Sequence, residues 1–410
     1  MTTALAPPPE AWHNLRPFNL PHPTFRRNLM PPRKPVSRRR FLKTTGTLSG
    51  GAMLTALPAS AYAGVQGANE FLRLGFIGVG DRGSTLLRHT LNSVSEATLK
   101  ITAICDIDAK RRDSAVEKCG GMKPAAIHDY RELLDKKDVD VVVIATPIYL
   151  HAEHAVAALA AGKHCYCEKP LGPTKEDVKA ITDAVKKAGR KFQVGFQWRY
   201  HNGFLALADA VGNAIGKVHM VTAARHIGGY PTSGWYVDRK LSGDLIVEQA
   251  VHEMNVFCWV LKGHPLRAVG IGGINALKGV PPERTIMDHY SVSYEFPENV
   301  TLQYSHCVYT PSGFGGLHQT FYGSNGRAAR LEDTLKLTVT KDGKPSTTDI
   351  PLPKDQDATQ TALQSFAKCI REDKEPLANI EAGRNATLMA ILGRTAIHEK
   401  RAVDWSEVAI

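Results

Sequence analysis

The sequence predicts an α/β chain in two parts: a doubly wound parallel sheet over residues 70–195, then an α+β domain at 196–375 built on a large, mostly antiparallel sheet, with a C-terminal helix and tail at 376–410. Two observations carry this. Up to about residue 195, short apolar runs alternate with helical stretches, the pattern of strands joined by crossover helices. Beyond about residue 200 the strands lengthen, alternate apolar with polar residues and are separated by turns, as in an antiparallel sheet with one open face.

Residues 1–36 are rich in proline and arginine, lack periodicity and are expected to be disordered, with Met30 an alternative start. Ser37-Arg38-Arg39-Arg40-Phe41-Leu42-Lys43, a mildly apolar stretch to Leu57 and the small-residue site Ala61-Tyr62-Ala63 resemble a twin-arginine signal cleaved after Ala63. The apolar stretch is too short and glycine-rich to span a bilayer. The expectation is an exported, periplasmic protein that engages the twin-arginine machinery and has no membrane span in its mature form.

In the first half, strands are expected at Leu74–Ile77, Leu99–Asp106, Val139–Ala145, Lys163–Cys167 and Lys191–Gly195. Helices are expected at Ser84–Ser93, Lys110–Lys118, His128–Leu134, His151–Ala161 and Lys175–Ala188, the last two stopped by Gly162 and Gly189. In the second half, strands are expected at 217–225, 268–273, 289–296, 301–308, 316–322 and, as one long strand, 328–340. Helices are expected at Asp244–Leu261, Ala362–Arg371 and Ile380–Lys400.

The first strand runs directly into Gly78-x-Gly80-x-x-Gly83 and a helix. In that order the first glycine permits a tight turn, the second lets backbone amides approach a pyrophosphate, and the third lets helix and strand pack closely. The second strand ends in Asp106, placed to accept hydrogen bonds from an adenosine ribose and to repel a 2′-phosphate. Arg82, inside the turn, works the other way because it offers a partner to a 2′-phosphate. The turn therefore predicts a Rossmann-type site for NAD, with NADP left open.

Charge and cysteine content exclude other classes. The formal charge is +11, but residues 1–63 hold nine Lys/Arg and one acid, and the remaining 42 basic and 39 acidic residues nearly balance. A nucleic-acid partner is not indicated. Seven scattered cysteines make no disulfide framework, and Cys165-x-Cys167 matches neither a redox nor a zinc spacing. No metal site is expected.

Three stretches carry the chemistry: Ala145-Thr146-Pro147 through His151 to Glu168-Lys169-Pro170, Gly195-Phe-Gln-Trp-Arg199-Tyr200, and Glu248-Gln-Ala-Val-His252-Glu-Met-Asn255. With the glycine turn, they resemble the glucose–fructose oxidoreductase, inositol dehydrogenase and MocA (Gfo/Idh/MocA) family over residues 72–400. Lys169 sits at the end of a parallel strand, where its ammonium can stabilise a developing alkoxide. Glu248, His252 and Asn255 at i, i+4 and i+7 share a face if the helix is continuous. That face would present His252 as general base, with Glu248 orienting it or binding substrate. Where the family usually has aspartate, this chain has Glu248.

The resemblance further implies that Thr146, Pro147 and His151 lie near the nicotinamide ribose, that Glu168 belongs to the cofactor site, and that Arg199 faces nicotinamide or substrate. Tyr200, His226, Tyr230, Trp235 and Asn255 are expected on the substrate side, because aromatic and polar groups together suit a sugar ring. The implied activity is nicotinamide-dependent oxidoreduction of a carbohydrate or polyol by a homo-oligomer. Export away from an NAD(P) pool favours a tightly retained cofactor and a redox-neutral cycle. A glycosidase acting by transient keto-sugar oxidation and elimination, and a non-enzymatic sugar sensor, remain alternatives.

Overall fold

A computed structural model of the chain describes residues 71–93, 98–311, 313–352 and 357–410. The expected leader and signal at 1–63 lie outside these residues.

β1 (Leu72–Ile77), β2 (Leu99–Cys105), β3 (Ala125–Ile127), β4 (Val141–Ile144), β5 (His164–Cys167) and β6 (Phe192–Val194) form a wholly parallel sheet in the order β3-β2-β1-β4-β5-β6. Its interior is apolar on both faces, as a sheet covered by helices requires: Phe76, Ile101, Ile104, Val142, Ile144 and Val194 are fully buried. The covering helices are α1 (Asp81–Asn92), α2 (Ala109–Lys118), α3 (Tyr130–Asp135), α4 (His151–Ala160) and α5 (Lys175–Ala188). Local chemistry starts and stops them. Asp108 and Asp129 cap α2 and α3, Thr174 and Asp177 form a capping box on α5, and Gly189 ends α5 at φ 59°. β3 is not among the expected strands, because three residues carry too little pattern to stand out.

The second sheet has nine strands in the order β14-β13-β12-β11-β7-β10-β9-β8-β15. They are β7 (Val218–His226), β8 (Arg267–Gly273), β9 (His289–Phe296), β10 (Val300–Cys307), β11 (Gly316–Gly323), β12 (Gly326–Leu331), β13 (Thr334–Lys341), β14 (Lys344–Ile350) and β15 (Val403–Asp404). Among the described residues of this sheet, only β7 and β10 pair in parallel. The single strand expected at 328–340 is two, folded back at Glu332-Asp333 with Glu332 at φ 50°. β14, also unexpected, follows a two-residue turn at Asp342-Gly343 in which both residues have positive φ.

The second half also carries four helices, α6 (Asn202–Asn213), α7 (Arg239–Ser242), α8 (Leu245–Glu248) and α9 (Val251–Val260), of which α6 packs on β12 and β13 and α9 sets Phe257 against Tyr304 and Phe321 of the sheet. α10 (Ala358–Glu372) packs on the nucleotide-binding half, where Phe366 meets Tyr166 of β5. The helix expected at Asp244–Leu261 is broken at Gln249-Ala250, and this break sets the geometry of the site. α6 is not among the expected helices because its run is largely apolar and carries two glycines, which weakens a helical reading.

α11 (Ile380–Glu399) ties the halves together. Asn255 of α9 donates to the Ala382 carbonyl, Thr387 accepts from Leu171 after β5, and Arg394 reaches the Pro173 and Gly243 carbonyls. A Cβ on Gly393 would lie 2.1 Å from the Tyr294 hydroxyl, so only glycine permits this approach of helix to sheet. The first glycine turn is as tight. A Cβ on Gly83 would stand 2.1 Å from the Gly78 carbonyl oxygen. Gly83→Ala should therefore cost about 1–3 kcal/mol as overpacking. The expected readouts are a lower Tm and weakened dinucleotide binding in a fluorescence titration.

Candidate active site

Open α/β sheets bind ligands beyond the carboxyl ends of their strands. Here those ends open into a cavity of about 600 Å³ that extends to α8 and α9 of the second domain. At one end lie Gly78, Gly80, Asp106, Ile107 and Arg111; at the other, Lys169, Gln197, Trp235, Tyr236, Glu248 and His252.

The glycine turn has the shape a pyrophosphate needs. Gly78 has φ 86°, and a Cβ there would meet the Ala145 carbonyl oxygen at 2.8 Å. α1 begins immediately after Gly80, so its free amides face the cavity. Asp106 accepts from the Val79 amide at 2.8 Å and the Asp108 amide at 2.9 Å, which pins its carboxylate at the cavity wall. At the far end Gln197 Oε1 and His252 Nδ1 are buried without a partner among the described residues. The residues present fit a nicotinamide dinucleotide laid from Asp106 to His252.

The residues around Lys169 form a connected polar cluster. Its Nζ donates to Glu248 Oε1 at 2.9 Å and to the Glu248 carbonyl at 2.6 Å. Tyr230 donates to the other Glu248 oxygen at 2.9 Å. Two of the three ammonium hydrogens are thus engaged, and one is left for a ligand. Glu248 orients Lys169 rather than the imidazole of His252, because the break after α8 turns it toward β5. Glu168 accepts from Arg82 Nε at 2.8 Å, and Gly195 leaves room for the carboxylate, since a Cβ there would fall 2.6 Å from it.

His252 stacks on Trp198, with centroids 5.0 Å apart, and meets Phe196 edge-on. Burial, then the charges of Lys169, Arg225 and Arg82, hold its imidazole well below the usual histidine range. Burial and these charges favour the neutral form of the ring, whose Nδ1 is left without a partner among the described residues.

Other expectations are corrected. Arg82 lines the cavity and bonds Glu168 through Nε and Thr359 through Nη1, with Nη2 left without a partner among the described residues. Gly83 lies under the turn and does not line the cavity. His151 lines it, but its ring nitrogens contact the Pro170 and Thr146 carbonyls at 2.7 and 3.0 Å, clamping the loops after β4 and β5.

Arg199 and Asn255 pair with each other at 2.8 Å, and Arg199 continues to the Leu377 carbonyl. They secure α11 and face neither cofactor nor substrate, because Asn255, nearly one turn further along α9 than His252, already faces α11. Tyr200 donates to Gln193 within the core, His226 pairs with Ser305 on the sheet, and Tyr230 stands behind Glu248. Thr146, Pro147, Glu168, Lys169, Trp235, Glu248 and His252 do line the cavity.

Sequence reasoning missed Gln197 and Tyr236, which stand close to singled-out residues, and His154, which lies one turn along α4 from His151 and is bonded to Thr146. Burial pushes His154 down to about 4 from an ordinary 6.5. A base depressed in the folded state takes up protons first in the unfolded chain, so its contribution is lost as pH falls below 6.5. The expected loss at pH 5 is about 2 kcal/mol. Thermal melts between about pH 7.5 and 5 should show it, and His154→Gln should flatten the slope.

Fold and cleft together define a two-domain dinucleotide-binding protein with a polar catalytic-type cluster at the nicotinamide end. The profile described as "Oxidoreductase family, NAD-binding Rossmann fold" matches residues 72–196, and that described as "Oxidoreductase family, C-terminal alpha/beta domain" matches 209–405. The chain belongs to this Gfo/Idh/MocA oxidoreductase family.

Inositol 2-dehydrogenase of Salmonella paratyphi B is 36% identical over 192 residues, 46% of this chain and 54% of that protein. The chain thus spans about half the length of such curated relatives. Myo-inositol 2-dehydrogenase of Thermotoga maritima is 26% identical over 342 residues, 82% of this chain and 99% of that protein. Levoglucosan dehydrogenase in complex with NADH and levoglucosan superposes with a TM-score of 0.71 at 20% identity, covering 82% of this chain and 99% of that one. At that identity the likeness establishes the shared fold.

Proposed function

We propose that the protein is an NAD-dependent oxidoreductase that oxidises a ring hydroxyl of a cyclic polyol or sugar. The observation that carries this is Lys169, held by Glu248 with one donor left over, in the same cavity as the neutral imidazole of His252. Bound NAD supplies hydride acceptance. Lys169 donates to the reacting hydroxyl and stabilises the alkoxide that develops. His252 takes up the proton. Glu248 fixes Lys169, and the stacked Trp235–Tyr236 pair, 3.9 Å between centroids, offers an apolar face to a ring. The inositol and levoglucosan dehydrogenases it resembles support a cyclic polyol as substrate.

The leader at 37–63 supports export to the periplasm through the twin-arginine machinery, and export supports a retained cofactor and a redox-neutral cycle. Exposed Val269, Ile271, Tyr322 and Leu331 on the open side of the nine-stranded sheet support a homo-oligomer. Glycoside cleavage would need an additional acid or base, and the substrate-side Tyr200, His226 and Tyr230 do not line the cavity. The test is to denature exported protein in acid and analyse the supernatant by mass spectrometry. One dinucleotide per chain agrees with a retained cofactor. Protein that is folded, empty and unable to bind NAD contradicts the assignment.

A further inference from the structure

One buried ion pair has no part in the chemistry described so far. Arg225 of β7 bonds Glu253 of α9 at 3.2 Å. Glu253 is fully buried, and its second oxygen has no partner among the described residues. A half-satisfied buried charge pair is a poor stabilising device, since an apolar pair of the same volume generally does as well or better. Its position is informative. Glu253 follows His252 directly, and the Arg225 guanidinium lies 5.8 Å from the ring centroid of Trp198, the indole on which His252 stacks. Trp198 is itself stacked on Phe204 at 4.6 Å, so its plane is fixed from the core. None of Trp198, Arg225 and Glu253 lines the cavity.

We propose that Trp198 and the Arg225–Glu253 pair are positioning residues for His252: the indole fixes the plane of the imidazole, and the ion pair holds a cation behind it. This rests on reading His252 as the group that handles the substrate proton. The charged groups facing the imidazole are Lys169 after β5, Arg82 on α1 and Arg225 on β7, with Glu248 on α8 paired to Lys169 and Glu253 on its own helix. All three cations disfavour a second proton on His252, and Arg225 is the one not engaged at the cavity. Its role is to keep the imidazole a free base until substrate arrives.

The test observes His252 directly, without turnover. NAD-loaded protein labelled at the histidine ring carbons is titrated by NMR between about pH 5 and 8, with His252 assigned from His252→Asn. In the unmodified protein the His252 signal should not titrate in that window. Arg225→Met combined with Glu253→Gln leaves no unpaired buried charge, and should move the midpoint up, so that the His252 signal begins to titrate at the acid end of the window. Arg225→Lys should preserve the original behaviour, and Trp198→Leu should broaden or split the signal. A folded double variant whose His252 remains silent, together with an unaltered line shape in Trp198→Leu, would overturn the proposal. If instead His252→Asn still reduces NAD with substrate, the base assignment fails while the positioning result stands.

Discussion

Lys169→Met should lower the rate of hydride transfer by about a thousandfold or more while leaving NADH affinity within a few-fold of the original. The ammonium lies in the cavity with two of its hydrogens on Glu248 and one to spare, whereas the Arg82 guanidinium is ion-paired to Glu168. A preorganised donor of this kind acts where charge develops in the transition state, so its loss falls on the rate rather than on cofactor binding. Glu248→Gln provides the companion experiment. It keeps a carbonyl oxygen for Lys169 but turns an NH2 donor toward Tyr230 and removes the charge, so a smaller loss of about tenfold to a hundredfold is expected. Stopped-flow absorbance of NADH measures the rate, and fluorescence titration the affinity. A Lys169→Met protein that loses NADH binding in proportion to its rate would assign the lysine to cofactor binding instead.

Asp244→Ala should be the most damaging single change to stability, about 3–5 kcal/mol, seen as a Tm lower by about 10 °C. Asp244 is fully buried and has φ 79°, a conformation that side chains rarely adopt. One carboxylate oxygen accepts from the Leu245 and Met287 amides at 2.8 and 2.9 Å; the other accepts from His398 Nε2 at 2.6 Å. Arg239 donates to His398 Nδ1, which leaves the ring proton on Nε2 for Asp244. Alanine keeps the strained backbone and strands two amides and a histidine. Asparagine would restore one acceptor but set an amide against the Nε2 proton, so an intermediate loss is expected. Because Glu248 ends the helix that Asp244 begins, the same variants should also loosen Lys169.

How much of this was legible depended on how local the cause is. The glycine turn and Asp106 lie at the cavity wall, a placement set by backbone geometry within a few residues. Lys169 is read through the strand end that carries it. The face of α9 was not legible: Glu248, His252 and Asn255 would share one side of an unbroken helix, but the turn at Gln249-Ala250 sends Glu248 to Lys169 and Asn255 to Arg199. No proline or glycine marks that break. Arg199 and Tyr200 misled for a related reason, since the tertiary approach of α10 and α11 draws both inward. The Asp342-Gly343 hairpin, in contrast, was signalled by its dipeptide and overlooked.

The most direct test of the proposed activity is a single turnover. Protein loaded with one equivalent of NAD is mixed with myo-inositol, and then with other cyclic polyols and sugars, while absorbance is followed at the NADH band. The proposed activity predicts NADH in up to one equivalent per chain with at least one of these compounds, and none on that timescale from Lys169→Met. NAD bound at full stoichiometry with no absorbance from any of them would contradict it.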